Sequence, residues 1–163
     1  MTLIEHWTSF FQSTSSAAAT LAGMVVVAIS INLSRILEVP GLSSRAAEAL
    51  IPLAGVAVIS LLGIVPDQSI RTFGWETLAA GALTWLASGI IHLRALPLYR
   101  TDPRSLRWSR ILLANIQSLP FVAAGVLLIQ EGTHGLYWIV PGVILCLIAG
   151  ILNTWVLLIE ILR

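Results

Sequence analysis

Ser88 and His92 stand four residues apart, a spacing that sets two side chains on one face of a helix. A hydroxyl beside an imidazole is half of a nucleophile–base pair. No third group that would orient the imidazole is evident, and Ser and His also fall at this spacing by chance. The zinc-protease motif HExxH is absent. Cys146 lies within an apolar run, where a thiol stays protonated and inert. His6, Asp67, Glu131 and His134 are metal-ligand types, but no two have a diagnostic spacing. No glycine-rich phosphate loop and no cofactor fingerprint occurs. The expectation is a protein without catalytic residues, bound metal or cofactor.

Amides and charges set within apolar sequence are more informative. The stretch VVVAISINLSRIL, residues 25–37, carries Asn32 and Arg35 before its apolar run has ended. Such residues are costly inside a bilayer and tend to mark function or helix–helix contact there. The same level in other apolar runs holds His92, Asn115, Gln117, Asn153 and Glu160, with Glu48 opening another run. Together they form a polar layer towards one side. Helical periodicity puts Asn32 and Arg35 on one face, and Cys146, Asn153 and Glu160 on another. Unpaired amides cannot face lipid cheaply, so these faces point to other helices or to water. Arg35 is close enough to the edge to snorkel, or to pair with Glu160, Glu38 or Glu48. Asn32 would cap backbone or bond another helix, for instance through Asn153. The layer reads either as glue between helices with an anchoring arginine, or as the lining of an aqueous vestibule.

The elements that must hold this layer follow from composition. Of 163 residues, 57% are hydrophobic and 10% charged, and the mean hydropathy is +0.92. Soluble domains carry about 25% charged residues, so the chain reads as an integral membrane protein. A bilayer-crossing helix needs about 20 apolar residues. Five runs approach that length, at about 16–37, 46–65, 73–96, 111–130 and 136–161. The fold class expected is an all-α bundle of five transmembrane helices forming one integral membrane domain. All nine basic residues are Arg. Five spans place eight of them on the side of the first loop, the third loop and the C-terminus, leaving Arg71 alone on the other. By the positive-inside rule the N-terminus lies outside and the C-terminus in the cytoplasm. The N-terminal tail has Glu5, no Arg, and its small cluster SSAAAT before the apolar run, so no cleaved signal peptide is expected.

In residues 1–12, Leu3, Trp7, Phe10 and Phe11 share a helical face, which suits a short amphipathic segment in the outer interface. Pro120 is expected to kink the fourth helix. In the third loop, Asp102–Pro103 is a cap that would start that helix early. Arg100, Arg104, Arg107 and Arg110 around it would contact anionic lipid head groups. So short a segment against a membrane does not suit nucleic acid. Ala19 and Gly23 make a small-xxx-small pair that lets two helices approach closely. With little interior available to one chain, such faces suggest a homo-oligomer.

Trp7, Phe10, Phe11, the Ala17–Ala19 cluster, Leu21, Gly23 and the string Ser30-Ile31-Asn32-Leu33 resemble a group of small, largely uncharacterised bacterial polytopic membrane proteins. Some of that group are labelled as modulators of a membrane-bound AAA protease. The resemblance covers the first 37 residues and implies a bacterial inner-membrane location. It carries no site residue. Two function classes stand. One is a homo-oligomeric channel or transport-type protein, with Asn32, Arg35 and Asn153 near its cytoplasmic mouth. The other is a non-enzymatic interaction protein that modulates a membrane partner, such as a protease, through the same faces.

Overall fold

The computed structural model describes residues 7–95, 115–130 and 132–162. Among these residues there are six α-helices and no strand: α1 (Thr8–Ile31), α2 (Leu33–Glu38), α3 (Leu42–Leu62), α4 (Ile70–Ala95), α5 (Leu119–Gln130) and α6 (Leu136–Leu162). A 3-10 turn at Gly132–Gly135 leads into α6. The all-helical class is as expected from the sequence. Three segments are long and apolar enough to cross a membrane by length and composition: α1, α3, and Gly132–Ile161, which is α6 with its leading turn. α4 is as long, but carries Arg71, Glu76, His92 and Arg94. α5 is a shorter apolar helix.

α3, α4, α5 and α6 form a ring in which each packs on the next and α6 closes against α3. α1 lies outside the ring, mainly against α3. α3 is therefore the central helix, and its buried residues run from Leu42 to Ser60. Thr14 and Ser60 hydroxyls, 2.8 Å apart, bond α1 to it.

Short connections make successive helices antiparallel, and the side-chain clusters show which ends meet. At one end Phe11 is fully buried, edge-on to Phe73 at 5.6 Å, while Trp7 meets Tyr137 at 5.2 Å. At the other end Ile36, Leu42, Ala46, Leu157 and Ile161 form a separate cluster. From Thr8 onward the aromatic stretch is the first turns of α1 and not a separate segment. The reason is packing. The Phe11 ring sits against Gly63, where an added Cβ would come within 2.7 Å of it, and so finds a dry surface that an interface does not offer.

Three local breaks shape the bundle. At Asn32 the side-chain amide donates to the Ala28 carbonyl at 2.9 Å. Its backbone leaves the helical region (φ −109°, ψ 19°), which separates α1 from α2. Val39 is extended, as a residue before proline must tend to be. Gly41 then takes φ +96°, a value that favours glycine, to start α3. Ser69 caps α4 by accepting from the Thr72 N–H at 3.1 Å. The third break precedes Pro120. Asn115 and Ile116 are helical, Gln117 and Ser118 form a turn, and α5 begins at Leu119. The expected kink is thus an interruption, because proline has no N–H to donate and its ring clashes with the preceding turn.

α4 and α5 approach most closely. A Cβ at Gly125 would lie 2.6 Å from the Leu78 backbone nitrogen and Cα. Cβ atoms at Gly81 and Gly74 would likewise meet backbone atoms of α5, at 3.1 Å. Where α5 meets α6 at Gly142, and α3 meets α6 at Gly150, the facing atoms belong to side chains instead.

Candidate functional site

Glu48 lies two turns into α3 on its ring-facing side, and its side chain is 4% exposed. Helix α3 begins at Leu42, four residues before the apolar run suggested, so Arg45 is helical too. One turn apart, the two side chains pair: Arg45 Nη1 is 3.5 Å from Glu48 Oε2. The other terminal nitrogen of Arg45, Nη2, is 3.3 Å from Glu160 Oε1 on α6. One guanidinium thus joins two helices through two carboxylates.

α4 brings His92 to the same place, with Nε2 3.7 Å from Glu48 Oε1. The other ring nitrogen, Nδ1, is 2.9 Å from the Ser88 carbonyl. A carbonyl only accepts, so Nδ1 carries a hydrogen. Nε2 then faces Glu48 either as an N–H of an imidazolium, or as a bare lone pair against a carboxyl group. The Ser88–His92 spacing is therefore real on the helix, but it joins the imidazole to a backbone oxygen and not to the hydroxyl. Nothing in that geometry activates Ser88 as a nucleophile.

α6 supplies Asn153, whose Nδ2 donates to the Glu48 backbone carbonyl at 3.1 Å. That bond fixes α6 to α3 one turn from the charge cluster. The turn before α5 supplies Gln117, which is 5% exposed. Its backbone carbonyl accepts from Cys146 Sγ at 3.3 Å. Among the described residues its carboxamide makes no hydrogen bond within the chain.

These side chains line a cavity of about 300 Å³ between α3, α4, the 115–118 turn and α6. Arg45, Glu48, His92, Gln117 and Asn153 form its polar part. Leu145, Ala149 and the exposed Ile116, Ile148 and Leu152 form an apolar wall and rim. A second cavity of about 270 Å³ adjoins it across His92 and contains Asn115 and Gly89. Among the described residues no group of three or more His, Cys, Asp or Glu side chains is arranged to hold a metal ion.

Of the residues singled out in the sequence, His92, Gln117, Asn153 and Glu160 converge here, with Asn115 next door. Asn32 and Arg35 do not. Asn32 bonds its own helix and not Asn153. Arg35 is exposed and makes no ion pair among the described residues; Arg45 takes the carboxylates expected of it. Arg100, Arg104, Arg107 and Arg110 lie outside the described residues. The sequence places Glu48 in the polar layer, but as a partner for Arg35, and Arg45 reads there only as a loop charge. The signal that finds both is their i, i+3 spacing, an acid and a base one turn apart ahead of an apolar helix. No protein-family model, no curated protein and no solved structure matches this chain.

Proposed function

We propose that the chain is a multi-pass membrane protein of transport type, with the Arg45–Glu48–His92 centre as its proton- and substrate-handling site. The observation that carries this reading is Glu48, a carboxylate 4% exposed that lines a cavity with His92 3.7 Å away. Glu48 lies about 9 Å along α3 from the helix start, at 1.5 Å per residue. In a helix apolar enough to cross a membrane, an ionisable residue at that depth marks a substrate or proton pathway by default. A charge pair that served only as glue would not need a cavity beside it.

The bundle then has five crossings. The first is α1 with α2, followed by α3, α4, the helix interrupted before α5, and α6. Its charged end faces the cytoplasm of a bacterial inner membrane, as the arginine bias demands. The pathway runs inside one chain and not along a symmetry axis, because the polar side chains converge between its helices. Self-association uses a different surface. Ala19 and Gly23 are exposed on α1, and nothing within 4 Å meets a Cβ built at Gly23. That face is free to meet lipid or a second copy.

The test is flux in liposomes holding the purified protein, followed with an internal pH dye while ion and solute gradients are varied. Proton movement above empty liposomes, lost in Glu48→Gln and altered in His92→Gln, is the expected result. Tight vesicles under all gradients would overturn the transport reading. The chain would then be an interaction protein whose charge cluster serves helix packing.

A further inference from the structure

We propose that the ligand of the Glu48 cavity is a small organic ammonium ion with an apolar body. The inference rests on the reading of that cavity as a substrate site, and not on the direction or coupling of transport.

Charge among the described groups disfavours an anion. Both terminal nitrogens of Arg45 are already engaged, one by Glu48 and one by Glu160. The guanidinium therefore has no unpaired terminal nitrogen to offer an incoming carboxylate or phosphate. Counting the described groups around the site, Arg45 contributes +1, and Glu48 and Glu160 contribute −2, which leaves −1 before His92 is counted. An ammonium ion entering beside Glu48 brings that sum to zero. The groups facing His92 are Glu48 and, through it, Arg45 from α3 and Glu160 from α6. Asn115–Ser118 offer two amides and a hydroxyl but no charge, and Arg94 on His92's own helix is exposed.

Gln117 is compatible with the same ligand. It is 5% exposed, lines the cavity, and its carboxamide has no hydrogen-bond partner among the described residues. A carboxamide on a cavity wall with no partner in the chain is open to what enters, and its oxygen is a ready acceptor for an ammonium N–H. The Glu48 carboxylate and the Gln117 amide lie on the same cavity, so one ligand head group can use both.

The walls give the rest of the molecule. Leu145, Ala149, Ile148 and Leu152 line the side away from the charges, and Ile116, Ile148 and Leu152 are exposed at the rim. The cavity thus opens onto an apolar surface, and a ligand that enters there carries an apolar part. About 300 Å³ is at the lower limit for small-molecule sites, so the body is small. A free aromatic or aliphatic amine fits this chemistry, and so does the amine head group of a lipid.

The probe is benzylamine, protonated at neutral pH, titrated into the full chain in phosphatidylcholine nanodiscs and followed by calorimetry. Phenylacetate and benzyl alcohol serve as the anionic and neutral shapes. The expected result is saturable benzylammonium binding, at least about tenfold tighter than either control. Glu48→Gln should abolish it. Ala149→Leu, which fills the wall and touches no charge, should weaken it by about tenfold while the protein stays monodisperse. Gln117→Leu should weaken it less. Benzylamine binding that is displaced when phosphatidylethanolamine replaces phosphatidylcholine identifies the lipid amine as the natural source. Undisplaced binding identifies a free amine, and both support the ammonium assignment. Equal binding of all three probes, a preference for phenylacetate, no binding, or binding unmoved by Ala149→Leu overturns it. None of these outcomes alters the proton flux that tests the transport reading, and loss of flux with amine binding intact overturns that reading alone.

Discussion

Glu48 gains its burial from partners, and its partners become liabilities without it. Removing one member of a buried ion pair leaves an uncompensated charge and costs about 3–5 kcal/mol, whereas replacing both by apolar groups is often neutral. Arg45→Met should therefore destabilise the protein by up to about 3–5 kcal/mol, because at 4% exposure it leaves Glu48 only His92 as a described charge partner. Adding Glu48→Met should recover most of that loss, since the remaining Glu160 is 36% exposed and keeps access to water. Unfolding in mixed micelles with increasing denaturing detergent measures both. The amide that first drew attention behaves differently. Asn32 bonds only the Ala28 carbonyl of its own helix, so Asn32→Leu should change stability by less than about 1 kcal/mol and leave flux intact.

At the scale of elements, the helices were legible and their neighbours were not. Long apolar runs mark α1, α3 and α6 because burial and helix length are written locally. The start of α3 was misplaced because a hydropathy window cannot see that Leu42 to Arg45 are already helical, and the charge pair went with it. The pairing of Arg45 with Glu160, and of Asn153 with the Glu48 carbonyl, needs the order of helices around the ring. Residues 115 apart in one case and 105 in the other carry no local sign of it. The polar layer itself was visible, since Gln117, His92 and Asn153 are out of place in apolar sequence whatever their neighbours.

The interruption before α5 belongs to this scale. Phe121 donates its N–H to the Ser118 carbonyl at 3.1 Å across the turn. Pro120→Ala restores a donor and removes the ring clash, so the helix should run on through Gln117. Slower amide exchange at residues 117–121 would register it, together with weakened benzylamine binding as Gln117 swings out of the cavity. Two glycines give a contrast. Gly125→Ala must push apart backbones at 2.6 Å and should cost about 1–3 kcal/mol. Gly23→Ala meets nothing within 4 Å and should be neutral or gain up to about 1 kcal/mol of helix propensity.

For the whole molecule, the outward face of α1 and the inward cavity are separate surfaces and make separate predictions. Gly23→Leu should lower the mass of a detergent-solubilised assembly towards that of one chain, as read by light scattering. It should leave benzylamine binding unchanged, because the described cavity residues come from α3, α4, α6 and the segment 115–118. The close meeting of α4 and α5 has a mechanical meaning of its own. Contacts made by side chains yield by changing rotamer, but backbone set against backbone has nothing to rotate. α4 and α5 therefore behave as one stiff strut, tied at Gly135 to the head of α6, while the seams along α3, where glycines meet side chains, are compliant. His92 rides on the strut, and Glu48 on the helix across the softer seam. Elastic deformation along the α3–α4 seam changes the 3.7 Å gap between them, which makes that gap a strain gauge. Spin labels on α3 and α4 should report a broader distance distribution than a pair on α4 and α5.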